Sequence, residues 1–471
     1  MTVRSFSAWL TLKRAPAGLR PALLTTLFAA TVPSLALAQA ADPARCLSAR
    51  PENFGRNQVD SARSAGRPAV SALSPTPNWV LDELIQLAFD CNPGLRAARA
   101  GARAATASIT TARTIANPDV EVLPSRFRPR PGAQPLGGAG TIAGVSQRLE
   151  NPALRGARIG AARAGAEVAG FELSASEQGL AAAVRVRFFD LLRRQEELGA
   201  ARDDRALVEQ IRARINVSVE QGESPRFDLL RADAEVAIAQ RQESRARSRV
   251  AEGRALLRQI IGPALGEGFS ARGDYFAKLT PPDSAALHLA VQRMNPELRR
   301  AIAEEQRAER IVALERSQRF PSVSLRLSNE REPEQNIVRA GVALALPIWD
   351  RRSGPIREAT AQLERRRAEA EQRRFELARA VEVAWQQYRS ALEGVALLEG
   401  AALEDASAAV RVAEAAYRAG ERGILELLDA RRQLRAVRSE LISAQFDLYV
   451  ARAELDRLAA TAVPTLPADA P

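Results

Sequence analysis

The sequence has 471 residues, 67 Lys plus Arg against 56 Asp plus Glu, a net charge of +11 and one histidine, His288. A single histidine excludes His-based triads and multi-His metal sites, and no phosphate loop or zinc-spaced Cys/His cluster stands in the chain, so no enzyme signature and no cofactor site emerges. All basic residues except Lys13 and Lys278 are arginines, interleaved with acids as in Glu364-Arg365 and Glu376 to Arg379, which reads as solvated helix faces and excludes a nucleic-acid partner.

The N-terminus reads as an export signal. Lys13 and Arg14 precede a short apolar run, Leu19 to Val32, and the small-x-small sites Ala36-Leu37-Ala38 and Ala38-Gln39-Ala40 follow. Residues 1–38 are therefore set apart as a signal peptide, and Arg4, Lys13, Arg14 and Arg20 leave with it, lowering the net charge from +11 to +7. Cys46 follows Asp42-Pro43-Ala44-Arg45 and not an apolar lipobox. Export puts Cys46 and Cys91 in an oxidising space, where a disulfide pinning the tail and two unused thiols both stay open. Residues 39–77, rich in Pro, Ser, Gly and Arg, read as a disordered extension. Beyond the signal no apolar run reaches 18 residues, so any membrane crossing must use strands in a closed barrel.

From residue 78 the chain repeats itself. Asn92-Pro93-Gly94-Leu95-Arg96 returns as Asn295-Pro296-Glu297-Leu298-Arg299, and Pro118 returns as Pro321, both 203 residues on. Gly144-Val145 matches Gly341-Val342 at 197, and Gly222 to Leu230 matches Gly420 to Leu428 at 198. Two repeats follow, 78–266 and 280–462, with a disordered tail at 463–471.

Each repeat reads as helix, two strands, long helix, turn, helix. The first helices are expected over Trp79–Ala116 and Asp283–Arg319, stopped by Pro118 and Pro321. Val323, Leu325 and Leu327, then Val338, Ala340, Val342, Leu344 and Leu346, define strands with one apolar face around a polar loop, Asn329 to Asn336. Val120 and Val122, then Ala143, Val145 and Leu149, give the weaker first pair, around a Pro/Gly-rich loop from Arg128 to Gly138. Residues 153–221 and 356–419 contain no proline and predict helices of roughly 100 Å. Leu427, Leu434, Leu441, Leu448 and Leu455, with Ala430, Val437, Ala444, Ala451 and Leu458, form five heptads. The preceding helix answers with Val395/Leu398, Ala402, Ala409/Val412 and Ala416/Ala419, broken at Asp405; the first repeat answers with Leu229, Val236, Val250 and Leu257, broken at Glu243. Both helix pairs are antiparallel hairpins turning at Gly222 and Gly420.

Four strands cannot close a membrane barrel, whose smallest forms have about eight. Three chains supply 12, with the helices continuing the tube. Trp349, just after Pro347, then belongs at the inner membrane–water boundary.

With the paired Asn-Pro-x-Leu motifs, Leu344 to Asp350 entering a long helix, and the turn Tyr417 to Ala430, residues 79–460 resemble the TolC family of outer-membrane efflux proteins. The resemblance implies a homotrimer in the outer membrane, mainly α with a 12-stranded barrel in outer-membrane lipid and a long coiled-coil tunnel in the periplasm. It implies a passive exit duct fed by a periplasmic adaptor and an inner-membrane pump such as an RND transporter. Leu346 to Ile356 looks like the heavy-metal cation, CzcC-like branch. The resemblance further implies that Glu426 and Asp429 form an acidic pore constriction, with Tyr417, Arg422 and Asp228 as its gate. Phe227 and Glu426 depart from the best-known member, which has threonine and aspartate there, so the partner of Arg422 stays open. Two other readings remain at this stage: the exit duct of a type I protein secretion system, with the same fold, and a periplasmic coiled-coil adaptor without a barrel.

Overall fold

The two Asn-Pro motifs act as equivalent clips. A computed structural model describes residues 77–127, 138–222, 224–332 and 335–462. The expected signal peptide, the extension up to residue 76, Cys46 and the C-terminal tail lie outside these residues. Helices α1 (Leu81–Cys91) and α2 (Pro93–Arg113) stand where one helix was expected, as do α5 (Ser284–Met294) and α6 (Pro296–Ser317). The break has a local cause. The residue before proline is pushed out of the helical region, and Asn is a strong N-cap. Asn92 accepts from the Leu95 N–H at 2.9 Å and donates to the Ile260 carbonyl at 2.6 Å. Asn295 accepts from the Glu297 and Leu298 N–H groups and donates to the Leu458 carbonyl at 2.9 Å. Ile260 and Leu458 close the last helices of the two repeats, α4 (Arg226–Ile261) and α9 (Ile424–Leu458). Each Asn therefore starts one helix and ties down the end of another.

The strands are β2 (Asp119–Phe127), β3 (Gly138–Leu149), β5 (Ser322–Arg331) and β6 (Asn336–Ala345), in one antiparallel sheet ordered β2-β3-β5-β6. The second pair runs further than expected, since β5 reaches Arg331 and β6 starts at Asn336, leaving little of the polar loop. The loop expected over 128–137 lies outside the described residues. Register aligns Val120 with Val145, Val145 with Leu327 and Leu327 with Ala340, so one face is an apolar row across all four strands. The opposite face carries Glu121, Arg148, Arg326, Glu330 and Arg339, with Arg339 paired to Glu330. The apolar face is uncovered, with Val120 75% and Val342 67% exposed.

Helix order copies strand order. α2 touches α3 (Pro152–Glu220), α3 touches α6, and α6 touches α7 (Ser353–Leu397). Each of these helices leads directly into or out of the strand at the same place in the sheet. α3 is a single helix of 69 residues, or roughly 100 Å at 1.5 Å per residue.

Its counterpart is not continuous, which corrects the expected helix over 356–419. α7 ends at Leu397, a five-residue π turn spans Leu398–Ala402, and α8 (Leu403–Arg418) continues to the tip. The Leu403 N–H donates to the Leu398 carbonyl, and Gly400 leaves helical geometry. A π turn inserts one residue into the helical register, so every later position rotates by about 100°. The seam moves accordingly. Ala406 is buried and Val410, Ala413 and Tyr417 are half-buried, while Ala409, Val412 and Ala419, expected inside, are exposed. Asp405 is exposed, and so is no break in the seam.

In the first repeat the break at Glu243 stands. Glu243 is 6% exposed among apolar neighbours and is bound by Arg205 at 2.8 Å and Arg247 at 2.8 Å, with Arg202 at 3.7 Å. In α9, Leu427, Leu441, Leu448, Leu455 and Leu458 are buried as the heptads require, and Leu434 is half-buried.

The connector between the repeats carries structure that sequence periodicity does not reveal. β1 (Asn78–Trp79) pairs in parallel with β4 (Ser270–Ala271), and Gln195 clamps β4 with two hydrogen bonds to Ala271 at 3.0 Å. Trp79, Phe269 and Tyr275 are almost fully buried in the largest core. The Tyr275 hydroxyl donates to the Ile442 carbonyl at 2.6 Å, and burial pushes its pKa up. Tyr449 donates to the Tyr275 carbonyl at 3.1 Å and stacks on Phe189 at 3.6 Å. This belt joins the connector to both repeats.

Candidate functional site: the tip of the helical hairpins

At the far end from the sheet, both hairpins turn on a glycine with positive φ, Gly222 at 78° and Gly420 at 76°. That left-handed conformation strains any residue with a Cβ, which explains why glycine recurs 198 residues on. Beneath the turns lies a small core of Ile211, Ile215, Ala232, Ile424, Leu427 and Leu428, with Leu229, Ala413 and Tyr417 against it.

This core orients the acids. Ile424, Leu427 and Leu428 point inward at helical spacing, so Glu426 and Asp429 lie on the opposite, exposed face of α9. Both are in the first two turns of the helix, and Glu426 is in the first, where the dipole favours an anion. Tyr417 sits half-buried at the end of α8, and its pKa is raised, first by burial and then by the nearby charge of Asp228 in the first turn of α4. The structure thus brings Tyr417 and Asp228 together across the two hairpins. It does not bring in Arg422, which is exposed and whose side chain makes no hydrogen bond or ion pair among the described residues. Phe227 is 62% exposed and stacks under Arg231 at 5.0 Å.

Sequence reasoning missed the clamps between hairpins. Glu414 on α8 binds Arg214 on α3 at 3.1 Å and Arg418 at 2.8 Å, and these bonds, Arg418 first, hold its carboxyl below the usual range. Arg432 on α9 pairs with Glu235 on α4. Arg435 reaches Gln242 at 3.0 Å and Asp204 at 3.5 Å. The run Arg431-Arg432-x-x-Arg435 was a visible signal, but which of the many arginines cross between helices depends on how the two hairpins pack.

The remaining expected residues lie elsewhere. Trp349, between β6 and α7, is 93% exposed. Cys91 is buried and disulfide-bonded. His288 is exposed on α5, its Nδ1 at 2.8 Å from the Ser284 carbonyl. Among the described residues no cluster of three or more His, Cys, Asp or Glu could hold a metal, and no helix is long and apolar enough to cross a membrane.

A family model described as outer membrane efflux protein matches residues 84–263 and 287–461, the two repeats. The cobalt-zinc-cadmium resistance protein CzcC of Cupriavidus metallidurans is 26% identical over 380 residues, covering 80% of this chain and 89% of CzcC. Among solved structures, CusC superposes with a TM-score of 0.69 at 18% identity, covering 84% of this chain and 99% of CusC. The open state of the Neisseria gonorrhoeae MtrE outer membrane channel has a TM-score of 0.69 at 19% identity, covering 81% and 89%. These two likenesses establish the fold.

Proposed function

Because the chain belongs to the outer membrane efflux protein family, we propose that three copies form the exit duct of a tripartite efflux system for metal cations, fed by an inner-membrane pump and a periplasmic adaptor. The protein is an outer-membrane channel subunit with a long periplasmic portion. The observation that carries the trimer is the sheet. β2 and β6 each pair on one side only, and the apolar face is uncovered. Open edges and unpaired backbone groups are intolerable in lipid, so other chains must complete the wall. Three chains give about 12 strands, an even number with room for a lumen. Trp349 then anchors the periplasmic rim of the barrel.

The tip supports the gate. Around a threefold axis the exposed pair Glu426 and Asp429 would repeat as an acidic ring, and such rings favour cations. Tyr417 lies within reach of the Asp228 charge on the other hairpin, and Arg422 is free to act between chains. The metal-cation class rests on the likeness to CzcC and on the acidic ring. The duct itself performs no chemistry. Cys46, the sequence's other cysteine, is the proposed partner of Cys91, and intact mass before and after reduction checks the pairing.

Planar-bilayer recording of detergent-extracted protein tests the reading. A trimer by light scattering with a cation-selective conductance is expected. Glu426→Ala with Asp429→Ala should reduce that selectivity without dissociating the trimer, whereas Tyr417→Phe with Arg422→Ser should raise conductance and spare selectivity. A monomer with intact β signal, or two double mutants that behave like the parent, would overturn it.

A further inference from the structure

Among the described residues the Arg431 guanidinium has no hydrogen-bond or ion-pair partner. It lies on α9 two residues beyond the acidic pair, is 7% exposed, and both its Nη nitrogens are buried without a hydrogen bond. A buried guanidinium is normally paired or strongly hydrogen-bonded, because desolvating a lone charge costs several kcal/mol. The two carboxylates whose charge reaches it are committed elsewhere. Asp204 lies against Arg435 at 3.5 Å, and Glu414 is held by Arg214 at 3.1 Å and Arg418 at 2.8 Å.

Arg431 also lines a cavity. Between α3, α4 and α9 is a space of about 460 Å³, open on one side, bordered by six arginines and three acids. Two of the acids are neutralised, Asp204 by Arg435 and Glu197 by Arg249 at 3.3 Å. Arg245 and Arg438, on the rim, are exposed and make no ion pair among the described residues. Asp203, the third acid, is exposed and makes no ion pair among the described residues, so Arg431, Arg245 and Arg438 leave the lining with a net positive charge, and the volume suits a small ligand.

We propose that this cavity is a binding site for a small multivalent oxyanion of the phosphate or polycarboxylate class, with the Arg431 guanidinium as its buried anchor and Arg245 and Arg438 as its rim. The fork of a guanidinium donates two parallel bonds to such an oxyanion, and charge-assisted bonds in a desolvated place are the strong ones. The bound anion would neutralise Arg431 where α9 crosses α3 and α4, and so fasten the two hairpins just above the tip. The site is distinct from the acidic pair on the exposed face of α9, and its existence does not depend on the channel reading.

The test is titration calorimetry of the full-length protein in detergent with inorganic phosphate and with pyrophosphate, at ionic strength matched with chloride. Saturable binding, about one anion per chain, is expected. Arg431→Met should weaken it roughly 10-fold or more, the loss that charge-assisted bonds predict. Arg374→Ser, which removes an exposed charge from α7, should leave it unchanged. Arg245→Ser with Arg438→Ser alters only exposed side chains and should weaken binding even if Arg431→Met fails to fold. No saturable binding, or equal affinity in the rim double mutant and the parent, would overturn the proposal.

Discussion

The two repeats share a plan and differ in one turn. Each opens on an Asn-Pro clip, contributes two strands, sends one helix to the tip and returns on another after a left-handed glycine. The first repeat makes the outward journey in one helix, α3. The second interrupts it with the π turn at Leu398–Ala402, which rephases α8. A straight helix cannot keep a seven-residue seam over so many turns without supercoiling, and an inserted residue is one way to reset it. The consequence is local to function. In the second repeat the reset turns Tyr417 toward Asp228 and Val412 toward solvent. One repeat runs to the tip as a single helix, and the other carries a built-in change of phase above the proposed gate.

The largest effect should come from removing that difference. Gly400→Ala removes the freedom of the residue that leaves helical geometry and favours an uninterrupted helix of the same length, so Val412 returns to the seam and Tyr417 rotates away. The loss of packing at Ala406, Ala413 and Tyr417 should destabilise the tip by roughly 2–4 kcal/mol, in the range of core truncations. Single-channel conductance should rise more than in Tyr417→Phe alone. Denaturant unfolding and bilayer recordings check both, and a Gly400→Ala channel that conducts like the parent would show the π turn to be irrelevant to the proposed gate.

Next in size are the clips. Asn295 is 1% exposed and its side chain makes three hydrogen bonds, whereas Asn92 is half-buried and its side chain makes two. Asn295→Ala removes a cap and leaves the Leu458 carbonyl unpaired, at a cost of about 2–4 kcal/mol. Asn92→Ala should cost about 1–3 kcal/mol by the same reasoning. Equal midpoints in urea would mean that the clips do not differ between repeats.

A third contrast lies in the seams. Glu243 interrupts the apolar seam of α4 and is held by Arg205 and Arg247, while the matching stretch of α9, around Leu441 and Ile442, is apolar. A buried ion pair replaced by a well-packed apolar residue is often neutral or stabilising. The three arginines are partly exposed and can return to water. Glu243→Leu should therefore leave Tm unchanged or higher, whereas a marked fall would make the cluster structural.

How much of this was legible can be judged from particular residues. The Asn-Pro motifs, the turn glycines and the period-two strands announced themselves because each is a local rule: a cap, a left-handed φ, an alternation. The helix breaks at Asn92 and Asn295 are equally local, each an N-cap before a proline, although the single helices expected over Trp79–Ala116 and Asp283–Arg319 run through them. The π turn was not legible. Gly400, the residue that leaves helical geometry, stands in Leu397-Leu398-Glu399-Gly400 as a glycine that an ordinary helix also tolerates, so the local sequence does not announce the reset. The burial of Arg431 was hidden for the same reason. Trp79, Phe269 and Tyr275 were visible as aromatics, yet the short β1–β4 pairing that buries them spans most of the first repeat and has no periodicity.

The smallest effect concerns acid and the clamps between hairpins. Glu414 has its pKa lowered in the folded protein, through Arg418 first and then Arg214. A depressed carboxylate contributes stability that is fully present above its unfolded pKa, about 4.3. That contribution is lost as pH falls through the folded value, because protonation then occurs more readily in the unfolded chain. Arg214 and Arg418 are largely exposed, so solvent screening keeps the term small. Glu243, also depressed by Arg205 and Arg247, follows the same sign but ties α4 to α3 within the first hairpin. The two acids therefore separate by place. Acidification from neutral to below the unfolded glutamate range should loosen amide protection at α8 near Glu414 before it lowers global stability, and Glu414→Gln should show that loosening already at neutral pH. Arg214→Gln should mimic it from the other side of the contact, while Glu243→Gln should leave α8 untouched. Hydrogen exchange read by mass spectrometry resolves these segments. Equal loosening of α4 and α8 in Glu414→Gln would mean that the hairpins are not clamped independently.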